Sequence, residues 1–258
     1  MLMKTMGGSR GAGRGSPLST YQHQTEGTLG VTDYKMYFLQ GGERISPWHD
    51  IPLFPPVGGR TAGLVVNMVN EIPRHTSQKM EVDKDARHNP IMHDLDKQGG
   101  VRLLKYSALP WNYGMVPQTW EDPCALFTDP ADPSAQPLRG DGDPVDVVEL
   151  GDRVLGRGEV LPVRLLGAFA LLDEGELDWK LLAIALDDPR AGQLHTLADL
   201  LRHMPQHLNH VHEWYQNYKI AEGKSANKFA FRGSPQDEKL AATIIQETHQ
   251  HWKKLHTK

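Results

Sequence analysis

A chain of 258 residues with 28 Lys and Arg against 32 Asp and Glu, a formal charge of −4, lacks the basic excess that a bulk nucleic-acid binder needs. One cysteine, Cys124, excludes an internal disulfide framework and a multi-cysteine zinc site. The longest apolar stretch, Leu165 to Leu172, is far shorter than the roughly 18 residues of a membrane span, and the length suits one large domain preceded by a tail.

Residues 1–28 stand apart. They carry Lys4, Arg10 and Arg14, five glycines between Gly7 and Gly15, and no acid before Glu26. This composition reads as a disordered tail or a targeting segment, although the glycines disfavour the amphipathic helix of a transit peptide. No apolar core with a small-residue cleavage site follows, so secretion is not expected. Residues 29–258 read as the folded domain.

From Tyr34 to Val163 the pattern is of short strands broken by turns. Leu64–Val69 is β-branched and apolar, and Lys79-Met80-Glu81-Val82 alternates with period 2, placing Lys79 and Glu81 on one face and burying Met80 and Val82. Val145–Leu150, Leu161–Leu172 and Leu181–Leu186 read as more deeply buried strands. Residues 121–140, rich in Pro and Asp, read as a loop. Beyond these the chain turns helical: Leu208, Val211, Tyr215 and Tyr218 recur at helical spacing, as do Leu240, Ile244, Thr248, Trp252 and Leu255. Ser234-Pro235 predicts the N-terminus of the second helix. The expected class is mainly β with added helices: a five-stranded barrel with peripheral strands and two C-terminal helices.

The strongest chemical signal is Gly140-Asp141-Gly142-Asp143-Pro144-Val145-Asp146, which sets three carboxylates just before an apolar strand. Two such charges 4 Å apart repel by about 4 kcal/mol at an effective dielectric near 20, so the strand mouth holds cations or lies in solvent. A calcium loop of the EF-hand kind does not fit, because Val145, Asp146 and Asp152 fall where an oxygen ligand, Gly and Glu are required. A second acid cluster, Asp173-Glu174-Gly175-Glu176-Leu177-Asp178-Trp179-Lys180, follows the most apolar strand and points Asp178 and Lys180 to the side opposite Trp179. A third group is Glu71-Ile72-Pro73-Arg74 with Lys79 and Glu81. Acids mixed with lysines at strand ends suit Mg²⁺ and phosphate oxygens together. His203, His207, His210 and His212 read as a solvated helix face, and Gly151 to Gly158 lacks the Lys-Ser/Thr pair of a phosphate-binding loop.

Taken in order, these segments resemble the family I soluble inorganic pyrophosphatases, eukaryotic type. The resemblance is carried by Glu71-Ile72-Pro73-Arg74, Trp111-Asn112-Tyr113-Gly114, Pro117 to Pro123, the run Asp141-x-Asp143-Pro144-x-Asp146, Asp173 to Lys180, Tyr218-Lys219 and Glu247-Thr248-His249-x-x-Trp252. It covers Tyr34 to the C-terminus.

The resemblance implies an OB-like barrel and hydrolysis of diphosphate, a small-molecule substrate, with several Mg²⁺ ions. It implies Asp141, Asp146 and Asp178 as ligands of the tightest metal, and Glu71, Glu81 and Asp173 as holders of further metals. Asp143 would be the general base. Arg102, Tyr218 and Lys219 would bind one phosphate, Lys79 and Tyr113 the other, and Lys180 would complete the set. It also implies a homo-oligomer, commonly in the cytoplasm; an organelle is the alternative that the acid-free N-terminus allows. No nucleic acid or membrane partner is expected. Two positions depart from the family pattern. Leu109 stands where a tyrosine is usual, so one phosphate-side hydroxyl is missing or supplied elsewhere. His75 stands where a subunit-contact tryptophan is usual, which puts the usual dimer contact in question. A hydrolase of polyphosphate or nucleotides and a non-catalytic phosphate- or nucleic-acid-binding barrel are the other readings, and the latter sits poorly with so many carboxylates.

Overall fold

The structure is a computed structural model in which residues 21–56 and 63–255 are described. The strands in chain order are β1 (Gln22–Glu26), β2 (Lys35–Gln40), β3 (Glu43–Ile45), β4 (Val65–Ile72), β5 (Met80–Val82), β6 (Ile91–His93), β7 (Asn112–Met115), β8 (Leu126–Phe127), β9 (Leu138–Arg139), β10 (Asp146–Glu149), β11 (Val160–Asp173), β12 (Glu176–Ala185), β13 (Lys228–Phe229) and β14 (Gln236–Asp237). The helices are α1 (Leu197–His203), α2 (Pro205–Asn217) and α3 (Glu238–Leu255).

Five strands close the expected OB-like barrel in the order β12-β10-β7-β4-β11, with β11 pairing back onto β12. The β10–β12 pair is parallel and the other four are antiparallel. Strand β11 serves two sides of the ring: residues 160–164 pair with β4, residues 163–173 with β12, and a bulge between Leu165 and Gly167 supplies the bend. A second, antiparallel sheet joins β1, β2, β3, β6 and β5. Strand β1 lies within the segment 1–28 that the sequence sets apart, yet it pairs along β2; residues 1–20 lie outside the described residues. Within the expected loop 121–140, β8 and β9 form a two-residue pairing.

The helical part departs from expectation in two ways. There are three α-helices among the described residues, not two. The additional α1 is seven residues long, too short for a periodic stripe, and is marked by a capping box between Thr196 and Asp199. Helix α3 begins at Glu238, and its cap is Asp237, whose carboxylate accepts from the Lys239 and Leu240 amides at 3.1 and 3.0 Å; the Ser234-Pro235 start is three residues early. Tyr218 falls just past α2, in a 3₁₀ turn over Tyr218–Glu222.

Period-2 alternation sorts the barrel wall into two buried faces. Leu177, Trp179, Leu181 and Ala183 of β12 pack with Ala168 and Ala170 of β11 against Ala241, Ile244 and Ile245 of α3. The alternate set, Leu182 and Ile184 with Phe169, Leu171, Val148 and Tyr113, packs toward Leu208, Val211, Trp214 and Tyr215 of α2. By the same alternation Asp178, Lys180, Asp173 and Asp146 lie on this second face, at its edge.

Gly114 is where β7 meets β4 most closely. A Cβ there would lie 1.9 Å from the Val69 carbonyl oxygen, next to the β4 bulge between Asn70 and Ile72. Gly114→Ala is therefore expected to destabilise the protein by about 3 kcal/mol, the upper end for an overpacked core position. Denaturant unfolding checks this; an unchanged midpoint would show that β4 and β7 can separate freely.

Candidate active site

The parallel register of β10 and β12 places Asp146 opposite Lys180. Asp178 lies two residues before Lys180 on the same face. Lys180 is 3% exposed; its ammonium is bound by Asp146 and by Asp178, the latter at 2.6 Å, and it donates to the Tyr113 hydroxyl at 3.3 Å. Tyr113 in turn donates to Asp146. A buried lysine thus holds two carboxylates and a phenol in one network. Burial works against its charge, but Asp146 and Asp178 outweigh that and hold it protonated.

Asp141 and Asp143 come from the loop before β10. The Asp143 amide donates to Asp141 Oδ1 at 2.9 Å, and Lys84 reaches across to Asp143 Oδ1 at 2.5 Å and to the Gly142 carbonyl at 3.2 Å. The loop is clamped by Glu121, whose amide donates to the Asp143 carbonyl and whose carbonyl accepts from the Gly142 amide, both at 2.9 Å. The Glu121 side chain, in a residue 4% exposed, accepts from the Trp179 amide at 3.0 Å through Oε1, while Oε2 has no partner.

Among the described residues, the carboxylates of Glu121, Asp141 and Asp178 bring oxygens within 4.8 Å of one another. Burial, and then the charge of Asp143, push the Asp141 carboxyl up to about 7. Burial likewise raises Asp178 and Glu121 well above the usual carboxylate range, with Asp141 among the charges that add to the shift of each. Hard oxygen donors packed at mutually repulsive distance, one of them unpartnered and buried, fit a divalent cation. Asp146, expected as a third ligand beside Asp141 and Asp178, is engaged by Lys180 and Tyr113 in this structure; Glu121 completes the close group instead.

The other expected residues surround the same space. Lys79 pairs with Glu81 at 2.9 Å; burial opposes its charge, but Glu81, Asp146 and Glu71 raise its pKa above the usual lysine value. Glu71 is 3% exposed, accepts from the Val82 amide at 2.7 Å, and is raised well above its ordinary pKa by burial. Asp173 ends β11, just before a two-residue hairpin turn in which Glu174 and Gly175 both adopt positive φ, the geometry of a type I′ turn. Its carboxylate binds Lys219 and accepts from the Tyr218 hydroxyl at 3.2 Å; burial alone would raise its pKa, but Lys219 lowers it. Arg102 is held by Asp94 at 2.7 Å and Glu222 at 3.1 Å.

One cavity of about 290 Å³ is lined by Lys79, Glu81, Arg102, Tyr113, Asp141, Asp143, Asp146, Asp173, Asp178, Lys180, Tyr218 and Lys219. Glu71 lies outside that lining but faces the adjoining cavity with Lys79, Glu81, Tyr113, Asp143 and Asp146. Leu109, 2% exposed, and Tyr215 also line the main cavity. Sequence reasoning missed Lys84 and Glu121. Lys84 sits in the turn Asp83-Lys84-Asp85 with no spacing to mark it, whereas Glu121 was in view within Trp120-Glu121-Asp122-Pro123, where burial could not be read.

The inorganic pyrophosphatase family profile matches residues 68–253. Over 233 residues the chain is 43% identical to soluble inorganic pyrophosphatase 6, chloroplastic, of Arabidopsis thaliana, covering 90% of this chain and 73% of that protein. It is 41% identical to an inorganic pyrophosphatase of Zygosaccharomyces bailii, over 92% of this chain and 80% of the relative. Among solved structures, type I inorganic pyrophosphatase from Toxoplasma gondii superposes with a TM-score of 0.84 at 42% identity, covering 91% of this chain and 99% of that one. An N-terminally truncated vacuolar soluble pyrophosphatase of Trypanosoma cruzi, solved with PPi, gives 0.84 at 32% identity over 100% of both chains. With the barrel, the acid-lined cavity and relatives alike across nearly the whole length, the chain belongs to the inorganic pyrophosphatase family.

Proposed function

We propose that the chain hydrolyses inorganic diphosphate to two phosphates with Mg²⁺ as its divalent metal and Asp143 as the general base. The observation that carries this reading is the convergence of seven expected acids and four expected cations on one connected space, two of the acids, Asp141 and Asp178, grouping with the buried Glu121 in a trio that suits a cation. A surface built only to bind phosphate would not gather that many carboxylates.

Bound Mg²⁺ supplies an acidified water and charge neutralisation for the substrate. Asp141, Asp146 and Asp178 would hold the tightest ion, joined by the Glu121 carboxylate beside them, and Glu71, Glu81 and Asp173 would hold others. Asp143 is bound by Lys84 through Oδ1, which fixes the carboxylate and leaves Oδ2 to accept the proton of the attacking water. Arg102, Tyr218 and Lys219 would bind one phosphate, Lys79 and Tyr113 the other, and Lys180 would complete the basic set. Each of these cations already holds a carboxylate, and for Lys79, Lys180 and Lys219 that carboxylate is one of the acids that would hold metal, so each of these lysines would be freed for a phosphate oxygen when metal is bound.

We further propose a homo-oligomer with an altered contact, since His75 is exposed and its amide donates to the Leu109 carbonyl at 2.6 Å; sedimentation velocity would show a monomer if this is wrong. No helix among the described residues is long and apolar enough to cross a membrane. The cytoplasm is the proposed compartment, with an organelle as the alternative, and the mature N-terminus isolated from cells decides between them.

Phosphate release should be seen from diphosphate with Mg²⁺, be abolished by EDTA, and be much slower from tripolyphosphate and ATP. No release from diphosphate would sink the reading, and faster release from ATP would favour a nucleotide hydrolase. Asp143→Asn should lower kcat about 10²–10⁴-fold while keeping Mg²⁺ affinity, whereas Asp178→Ala should raise the Mg²⁺ requirement; calorimetric Mg²⁺ titration separates them, and equal metal affinities in both variants would contradict the assignment.

Because the folded-state pKa of Asp141 is raised from 3.8 to about 7, the metal-free protein binds this proton more tightly than the unfolded chain, so stability is lost as pH rises from about 4 through 7. Mg²⁺ binds the deprotonated form. The Tm gain from Mg²⁺ should therefore be larger at pH 8 than at pH 5, and equal gains would count against the buried acids as ligands.

A further inference from the structure

Tyr215 is the one aromatic on this cavity whose hydroxyl has no role in the expected chemistry. It lies on the last turns of α2 and is 4% exposed, and its hydroxyl makes no hydrogen bond. Buried phenols normally find a partner. The indole Nε1 of Trp111 approaches this hydroxyl without reaching hydrogen-bonding geometry, and is itself unpartnered. An indole N–H is a donor only, so even a closer approach would engage the phenol oxygen and leave the phenol proton without an acceptor.

The ring is held in place. Trp111 stacks on it at 5.8 Å, Trp214 meets it edge-on at 5.1 Å, and Asn227 Nδ2 fixes the Tyr215 carbonyl at 3.0 Å. Its surroundings are those of the phosphate-binding set. The Lys180 ammonium lies 5.5 Å from the ring centroid, and the phenol feels the charges of Lys180, Asp146 and Asp178 and the hydroxyl of Tyr113. Leu109 lines the same cavity and offers no hydroxyl.

We propose that the Tyr215 hydroxyl is a substrate-binding donor to a phosphate oxygen of bound diphosphate, supplying from α2 the hydroxyl that position 109 lacks. The proposal rests on the diphosphatase reading above. A rigid, buried donor with no acceptor of its own is prepared for an acceptor that arrives with the substrate, and the oxygens of diphosphate are such acceptors.

Tyr215→Phe removes only this oxygen. The dissociation constant of imidodiphosphate, a non-hydrolysable diphosphate analogue, measured with Mg²⁺ by calorimetry, should rise roughly tenfold or more, the effect of losing a hydrogen bond to a charged group. The KM for diphosphate should rise with it. Mg²⁺ affinity in the absence of diphosphate should stay the same and Tm should hold or increase, since an unpaired buried hydroxyl is removed. Adding Leu109→Tyr to this variant should restore part of the affinity. A Tyr215→Phe protein with the original analogue affinity and KM overturns the inference, as does a loss of affinity accompanied by lower Tm and weaker Mg²⁺ binding, which would mark a packing role. A wild-type protein inert toward diphosphate would instead defeat the diphosphatase reading itself.

Discussion

The structure depends on one electrostatic constraint: carboxylates are packed closer than their charges tolerate, and lysines hold them there. Lys180 sits between Asp146 and Asp178, Lys219 against Asp173, Lys79 against Glu81, and Lys84 against Asp143. At an effective dielectric near 20, each like pair at 4 Å would cost about 4 kcal/mol, which a marginally stable domain cannot carry several times over. The ammonium groups offset that cost, and burial leaves Asp141, Asp178 and Glu121 inclined to keep protons. The formal charge of −4 is accordingly local. The expected acids and cations together carry −3, and adding Glu121 and Lys84 leaves that balance unchanged.

This arrangement explains why the active-site cations are not free in the cavity. A lysine unpaired in a largely buried space would lose its charge or recruit water. A lysine lent to a carboxylate stays charged and in place, and under the proposed function it would turn to phosphate if a metal took that carboxylate. On the proposed reading, metal and substrate would each release what the other needs, which is positive coupling without any large movement of the barrel.

Much of this was legible in the chain because strand alternation and charge placement are local properties. Asp178 and Lys180 share a face, opposite Trp179, through period-2 geometry alone, and the Asp141-x-Asp143-Pro144-x-Asp146 run marks a strand mouth that holds cations or lies in solvent before any fold is known. What escaped were features made by distant packing. Glu121 becomes a candidate ligand only because its backbone is laced to Gly142 and Asp143 while its side chain reaches Trp179. Lys84 matters only because a turn brings it to Asp143. Helix α1 is too short to show a stripe, and the start of α3 shifted because Asp237, not Ser234, faces the free amides. Burial of both faces of β12 was equally hidden, since Asp178 and Lys180 look solvent-directed in a sequence and are 6% and 3% exposed in the fold.

The parallel pairing of β10 with β12 has a consequence for how activity arises during folding. Asp146 and Lys180 are neighbours across that pair although β11 and its hairpin lie between them in the chain. Asp146 and Lys180 are nevertheless closer in sequence than Val69 and Val160, which pair across β4 and β11, so loop closure weighs more on the β4–β11 seam than on this pair. The acidic loop and the lysine that quiets it can therefore meet before the β4–β11 seam shuts the ring. Repulsion among these aspartates is thereby relieved by a lysine near them in sequence, before the more distant strands need to be in place.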